Sequence, residues 1–142
     1  MSQPCKRLLL VDDDHTIRMT MGAMMKLVGF DVLYAENGKK GLSLFQQQHG
    51  LIDLIITDVC MPEMNGIDMI RAIRMQDKVV PIIVITGFAE SELLDQIEFN
   101  NATLFEKPIH FKSIITHIEL LHFKHKQAHL KSPTVSVPIA AP

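Results

Sequence analysis

Apolar residues along this chain come in two textures: short continuous runs, and longer stretches with helical spacing. The two alternate from the N-terminus onward. Arg7-Leu8-Leu9-Leu10-Val11 is an unbroken apolar run of the kind a strand buried on both faces requires. From Thr16 to Leu27, and on to Val28, the residues Ile17, Met21, Met24, Met25 and Val28 recur at helical spacing, and Gly29 supplies a stop. Phe30–Ala35 predicts a second strand. Asn37–Gln48 predicts a helix with Leu42 and Phe45 inward, ended by Gly50. Ile52–Thr57 predicts a third strand, and Met64–Met75 a helix with Ile67, Ile70, Ile73 and Arg74 spread over two faces. Pro81–Thr86 predicts a fourth strand, with proline at the entry, where a missing N–H is tolerated. Glu90–Phe99 predicts a short acidic helix and Ala102–Phe105 a brief fifth strand. Phe111 to about Lys126 predicts a last helix, with Ile114, Ile115, Ile118, Leu120 and Leu121 on its apolar side.

Five strands alternating with five helices imply an α/β fold, a parallel sheet covered on both faces and built from right-handed crossovers. Residues 6–127 are expected to form one domain. The stretch 128–142, Pro/Ser/Ala-rich from about Ser132, is expected to be a disordered tail.

Composition narrows the picture by exclusion. A chain of 142 residues suits a single domain, and 47% hydrophobic with 21% charged residues is ordinary for a globular one. The formal charge of -2, from 14 Lys+Arg against 16 Asp+Glu, gives no ground for nucleic acid or a membrane surface as partner. The first apolar run is cut short by Asp12, too early for a signal-peptide core or a membrane span. Cys5 and Cys60 stand at no zinc or redox spacing and read as free thiols in a reducing compartment. A cytoplasmic location is the expectation.

Sheets of this kind bind ligands beyond the carboxyl ends of their strands. At those ends stand Asp12, Asp13 and Asp14 after the first strand and Asp58 after the third. Thr86 ends the fourth, and Lys107-Pro108 follows the fifth. Carboxylates gathered on one edge repel one another, and a hard cation such as Mg²⁺ (or Mn²⁺) is their natural partner. Such an ion takes one or two carboxylates plus phosphate oxygens, which leaves one carboxylate free as a nucleophile toward phosphorus. Phosphoryl transfer then needs positioning and charge neutralisation, which a metal, a Lys and a hydroxyl supply. Asp14 also fits a plain helix cap.

Four segments carry a resemblance. Leu8-Leu9-Leu10-Val11-Asp12-Asp13-Asp14, Asp58-Val59-Cys60-Met61-Pro62-Glu63-Met64-Asn65-Gly66, Val84-Ile85-Thr86-Gly87 and Phe105-Glu106-Lys107-Pro108 resemble, in this order, the motifs of response-regulator receiver domains. The resemblance covers roughly Lys6 to Lys126. It implies a flavodoxin-like (CheY-like) five-stranded parallel sheet in the order 2-1-3-4-5. Asp58 is implied as phospho-acceptor. Asp13, Asp12 (through water), Asp58 and the backbone carbonyl of Cys60 are implied as metal ligands. Lys107 and Thr86 are implied as the phosphoryl-binding and switch residues, with a cis peptide at Lys107–Pro108. The turn residues Met61-Pro62 and Asn65-Gly66 read as support for the acceptor loop, Gly66 letting the next helix start close to the site.

The resemblance further implies a phospho-accepting signalling domain of a two-component pathway rather than an enzyme. Its donor would be a sensor histidine kinase or a histidine phosphotransfer protein. A stand-alone receiver, working as relay intermediate or as diffusible output, is the expectation, with a downstream protein as partner and no nucleic acid or membrane. Acidic Glu90, Glu92, Asp95 and Glu98 facing basic Lys112, Lys124, Lys126 and Lys131 would allow a homodimer through the fourth helix, fifth strand and fifth helix.

Three positions depart from the family pattern. Leu104 stands where many receivers carry a switching Tyr or Phe, and Phe105 should face the other way. Phe88 and Cys60 border the path of the hydrolytic water, and the bulk of Phe88 should prolong the phosphorylated state. Asn100-Asn101 replaces a Gly-containing turn, and Asn tolerates the left-handed conformation. Met19, Met21, Met24 and Met25 read as core filling, with an outward-facing Met19 serving a partner surface as the alternative. His110, His117, His122, His125 and His129 read as a solvated, weakly basic face. Two other readings compete. A phosphatase using an aspartyl nucleophile would need an acid at position 60, where this chain has Cys. A flavin or nucleotide module would need a Gly- or Ser/Thr-rich phosphate loop after strand one, where three acids repel the ligand.

Overall fold

The computed structural model describes residues 6–87 and 89–121. The expectations for Cys5, Phe88, His122, His125, His129, the helix end near Lys126 and the tail 128–142 lie outside the described residues. The chain divides into two compact units, Met1–Ile109 and His110–Pro142. In the first, strands β1 (Lys6–Val11), β2 (Phe30–Ala35), β3 (Leu54–Thr57), β4 (Ile82–Thr86) and β5 (Thr103–Glu106) alternate with helices α1 (His15–Leu27), α2 (Gly38–Gln47), α3 (Gly66–Gln76) and α4 (Ser91–Phe99). In the second, a helix at 111–121, α5, has Ile114 and Ile118 as buried positions four residues apart. All strand pairs are parallel and the order is β2-β1-β3-β4-β5. Among the described residues no helix is long and apolar enough to cross a membrane.

The continuous apolar runs have a simple cause. Every residue of β3 and β4, and Leu8 to Val11 of β1, is buried, so both faces of the central strands are apolar except for Thr57 and Thr86 at their carboxyl ends. On one face Leu9, Val11, Ile55, Ile82 and Val84 form a cluster with Phe45 of α2, Ile67, Ile70 and Ile73 of α3, and Ile97 of α4. On the other face α1 lies along β1 and β2, where the Tyr34 ring fills the space beside Gly22. A Cβ on Gly22 would stand 2.7 Å from Tyr34 Cζ, and the Lys26 ammonium sits 5.5 Å from the ring centroid.

Several boundaries and faces differ from the sequence reading. Of the α1 methionines only Met21 and Met25 are buried. Met19, Met24 and Val28 are exposed, because the buried stripe takes one methionine per turn. In α2 glycine does work expected of Leu42: Gly38, Gly41 and Phe45 are buried while Leu42 is half-buried. A Cβ on Gly41 would lie 2.7 Å from Met69 Sδ, so α2 approaches its neighbours closely. Helix α3 starts at Gly66 rather than Met64, since Asn65 is its cap, its side chain accepting the Asp68 N–H at 2.9 Å. Ile67, Ile70, Ile73 and Arg74 are all buried in one packed stripe, not divided between faces. Burial of Arg74 is met by carbonyls: its guanidinium donates to Asn100 (2.8 Å), Asn101 (3.0 Å) and Asp77 (3.1 Å). Strand β3 begins at Leu54, because the Asp53 carboxylate already accepts the Arg7 N–H at 2.8 Å. Asn101 adopts φ 56, the left-handed conformation expected of that turn.

Candidate functional site

Strand register brings the site together. Val11 pairs with Ala35 on one side and Thr57 on the other, so Asp12 and Asp58 leave adjacent strands at the same height. The ladder continues one step beyond: Asp12 N–H donates to Ala35 O and Asp58 N–H to Val11 O, both at 3.1 Å. That fixes both Cα positions at the strand tips. Asp12 and Asp58 are buried, at 5% and 9% exposure, whereas Asp13 is exposed. Carboxylate oxygens of Asp12, Asp13 and Asp58 all lie within 4.8 Å of one another.

Thr86 pairs with Glu106, and Lys107 N–H donates to Thr86 O at 2.9 Å, which seats Lys107 beside the fourth strand's end. The Lys107–Pro108 peptide is cis. Lys107 Nζ reaches Asp58 Oδ2 at 3.2 Å, while Asp58 Oδ1 accepts the Val59 N–H at 2.6 Å. Asp12 Oδ1 accepts the Asp14 N–H at 2.8 Å. The Asp14 side chain in turn accepts Ile17 N–H at 3.1 Å, capping α1.

Electrostatics follow from this crowding. Burial, then the charges of Asp58 and Asp13, raise the Asp12 pKa above the ordinary carboxylate value, against the pull of the Asp14 N–H and Lys107. For Lys107, burial alone would favour the neutral amine. The charge and hydrogen bond of Asp58, with the charges of Asp12 and Asp14, outweigh it and hold the pKa above that of an ordinary lysine. Three hard oxygen donors on an edge where one acid resists ionisation are suited to a divalent cation such as Mg²⁺.

The loop after β3 runs from Val59 to Asn65 and is closed tightly. Gly66 N–H donates to Val59 O at 2.9 Å. A Cβ on Gly66 would overlap the Asp58 carbonyl oxygen and lie 3.1 Å from Asp58 C and Val59 Cα, so α3 starts against Asp58 because position 66 is glycine.

Asp12, Asp13, Asp58 and Lys107 are thus gathered in one place. Thr86 stands buried at the end of β4, and Cys60 carries an exposed thiol in the loop. Leu104 is half-buried against the core that holds Val84, while Phe105 alternates to the opposite face. One residue escaped the sequence reading. Arg18 donates through Nη1 to the Asp12 carbonyl at 2.6 Å, with Nη2 3.3 Å from His15 Nδ1. Its place one turn after the Asp14 cap was the available signal, since that turn begins beside the acidic cluster.

Comparison with known proteins agrees with this geometry. Residues 8–119 match the family described as "Response regulator receiver domain". The response regulator receiver protein CpdR of Brucella abortus is 32% identical over 115 residues, covering 80% of this chain and 94% of that protein. A cyclic di-GMP phosphodiesterase of Thermotoga maritima is 31% identical over 113 residues, covering 77% of this chain. The chain spans 30% of the length of that phosphodiesterase and 48% of that of a further curated relative. Among solved structures, a response regulator receiver domain protein from Clostridium thermocellum superposes with a TM-score of 0.81 at 25% identity, over 87% of this chain and 98% of that one. The chain belongs to the response regulator receiver domain family.

Proposed function

We propose that this chain accepts a phosphoryl group on Asp58 from a histidine-bearing donor, in a cytoplasmic two-component phosphorelay that depends on a divalent cation. The observation that supports this best is the state of the Asp58 carboxylate. It is buried at a strand tip, held at one oxygen by the Val59 N–H and at the other by Lys107, beside two further acids.

Transfer forms a bond from an Asp58 oxygen to phosphorus as the bond from phosphorus to the donor nitrogen breaks, the electron pair returning to the donor's ring. Lys107 stays an ammonium at neutral pH and moves its charge from the carboxylate to the incoming phosphoryl oxygens. Asp12, Asp13, Asp58 and the Cys60 carbonyl would hold Mg²⁺, which supplies neutralising charge to those oxygens. The Val59 N–H and the short β3 exit keep Asp58 from turning away from the donor. Thr86 would then hydrogen-bond the phosphoryl group and draw the β4–α4 loop inward. The added charge, about -1.5 to -2 in phospho-residues, is thereby converted into a changed surface for a downstream protein. With Leu104 in place of a swinging aromatic ring, that change is carried by the Thr86 loop and α4 rather than by β5.

Incubation with acetyl phosphate and Mg²⁺ tests the reading by intact-protein mass. One phosphoryl group should be gained, and lost on adding EDTA or on Asp58→Ala. An equal gain in the Asp58→Ala variant would end it.

A further inference from the structure

Resting on the cation site proposed above, we infer that the turn between β2 and α2 is a positioning element for that site, acting through Gly38. This turn touches both halves of the site. On one side, Ala35 O accepts the Asp12 N–H at 3.1 Å. On the other, three residues later, Gly38 N–H donates to Met64 O at 2.9 Å, in the acceptor loop that carries Cys60. The acids after β1 and the loop after β3 are therefore tied to each other through Ala35, Glu36, Asn37 and Gly38.

The fit at Gly38 leaves no room for a side chain. A Cβ there would overlap the Met64 carbonyl oxygen and lie 3.0 Å from both Met64 C and Asn65 O. All of these neighbours are backbone, so none can swing aside. The loop is also poorly able to yield. Glu63 is held at φ 71, Met64 N–H closes onto Pro62 O at 2.8 Å, and Gly66 N–H pins the far end to Val59 O at 2.9 Å. The turn itself is stiff: the side chain of buried Asn37 accepts the Lys40 N–H at 2.8 Å and so fixes the start of α2. A push at Gly38 must be absorbed by the loop, and that loop carries Cys60, whose carbonyl is proposed above as a cation ligand.

Two variants separate this role from folding. Gly38 is the first residue of α2, where proline is tolerated, and Asn37 is already extended at φ -159 and ψ 173, as a residue before proline must be. Gly38→Pro is therefore compatible with the helix start, but it deletes the N–H to Met64 and its ring carbon also meets the Met64 carbonyl. Gly38→Ala keeps the N–H and adds only the overlapping methyl. Gly41→Ala on the same helix is the control: its Cβ meets the side chains of Met69 in α3 and Val11 in β1 rather than the loop backbone.

The measurement is Mn²⁺ affinity by titration calorimetry on the full chain, with far-UV circular dichroism to verify folding. Both Gly38 variants should bind Mn²⁺ about 10-fold more weakly or worse, the scale of outer-shell losses in metal sites, with Gly41→Ala within about twofold of wild type. Folded Gly38 variants that bind as wild type would overturn the inference. A wild type that binds no Mn²⁺ would refute the cation site and this inference with it. Should the variants not fold, the wild type decides by an amide NMR titration with Mg²⁺. The Gly38 amide should shift with the same dissociation constant as the amides of residues 58–66, and an unmoved Gly38 amide would reject the coupling.

Discussion

Neutralising Asp12 should make the protein more stable and less functional at once. Asp12 and Asp58 are both buried, and their oxygens lie within 4.8 Å. At that separation two unit charges repel by about 3.5 kcal/mol at an effective dielectric constant near 20, and by about 0.9 kcal/mol in bulk water. Lys107 offsets part of this and Asp13 adds a screened share. Asp12→Asn keeps the carbonyl oxygen that accepts the Asp14 N–H, so no hydrogen bond need be lost. A gain of about 1–3 kcal/mol in cation-free buffer follows. Because burial and its acidic neighbours raise the Asp12 pKa in the folded state, the native protein holds a proton that the unfolded chain releases near 3.8. Wild-type stability from this residue is then full below 3.8 and falls as pH rises to the folded-state pKa, staying low above it. Asn has no such loss. Mg²⁺ at about 100 times its dissociation constant should stabilise wild type by about 2.7 kcal/mol and the variant by much less. Urea denaturation with and without Mg²⁺, at pH 3 to 8, reads all three effects. An Asp12→Asn protein less stable than wild type without cation, or equally stabilised by Mg²⁺, would refute the reasoning.

Three further outcomes are expected. Gly66→Ala must displace either Asp58 or the start of α3, and should cost about 1–3 kcal/mol in urea denaturation and slow phosphorylation by acetyl phosphate; an unchanged midpoint and rate would count against the close packing described. Arg74→Met removes three hydrogen bonds from a buried guanidinium, whose pKa burial lowers against the charge of Asp77. It should cost about 2–4 kcal/mol, with Mg²⁺-dependent phosphorylation retained in the folded fraction. Phe88→Ala should shorten the half-life of the phosphorylated protein, followed by loss of the mass increment with time, and an equal half-life would remove the shielding role given to Phe88.

How much of this was legible beforehand depends on the kind of interaction. The order of strands and helices was, because β1, β3 and β4 are buried on both faces and their runs could not be disguised by polar residues. The carboxylates and Lys107 were legible because strand ends mark the ligand edge, and Asp12, Asp58 and Lys107 each follow a strand directly. Boundaries failed where a side chain replaced a backbone partner, as Asp53 does for Arg7 and Asn65 does for α3. The methionine face of α1 was read too widely at Met24, which satisfies a hydrophobic spacing without being needed in the core, while the exposure of Met19 fits its alternative outward reading. Gly38 and Arg74 were not legible as contacts, and Arg18 only by its place one turn after the Asp14 cap. Each acts on a backbone carbonyl of another segment, and carbonyls leave no mark in a sequence.

The most direct test of the central claim is to locate the phosphoryl group chemically. Phosphorylated protein treated with borohydride converts an aspartyl phosphate to homoserine, and peptide mass spectrometry then reads the position. The account predicts homoserine at position 58, only when Mg²⁺ or Mn²⁺ is present. Homoserine at Asp12 or Asp13, or a stable phosphoryl group on a hydroxyl or imidazole instead, would contradict it.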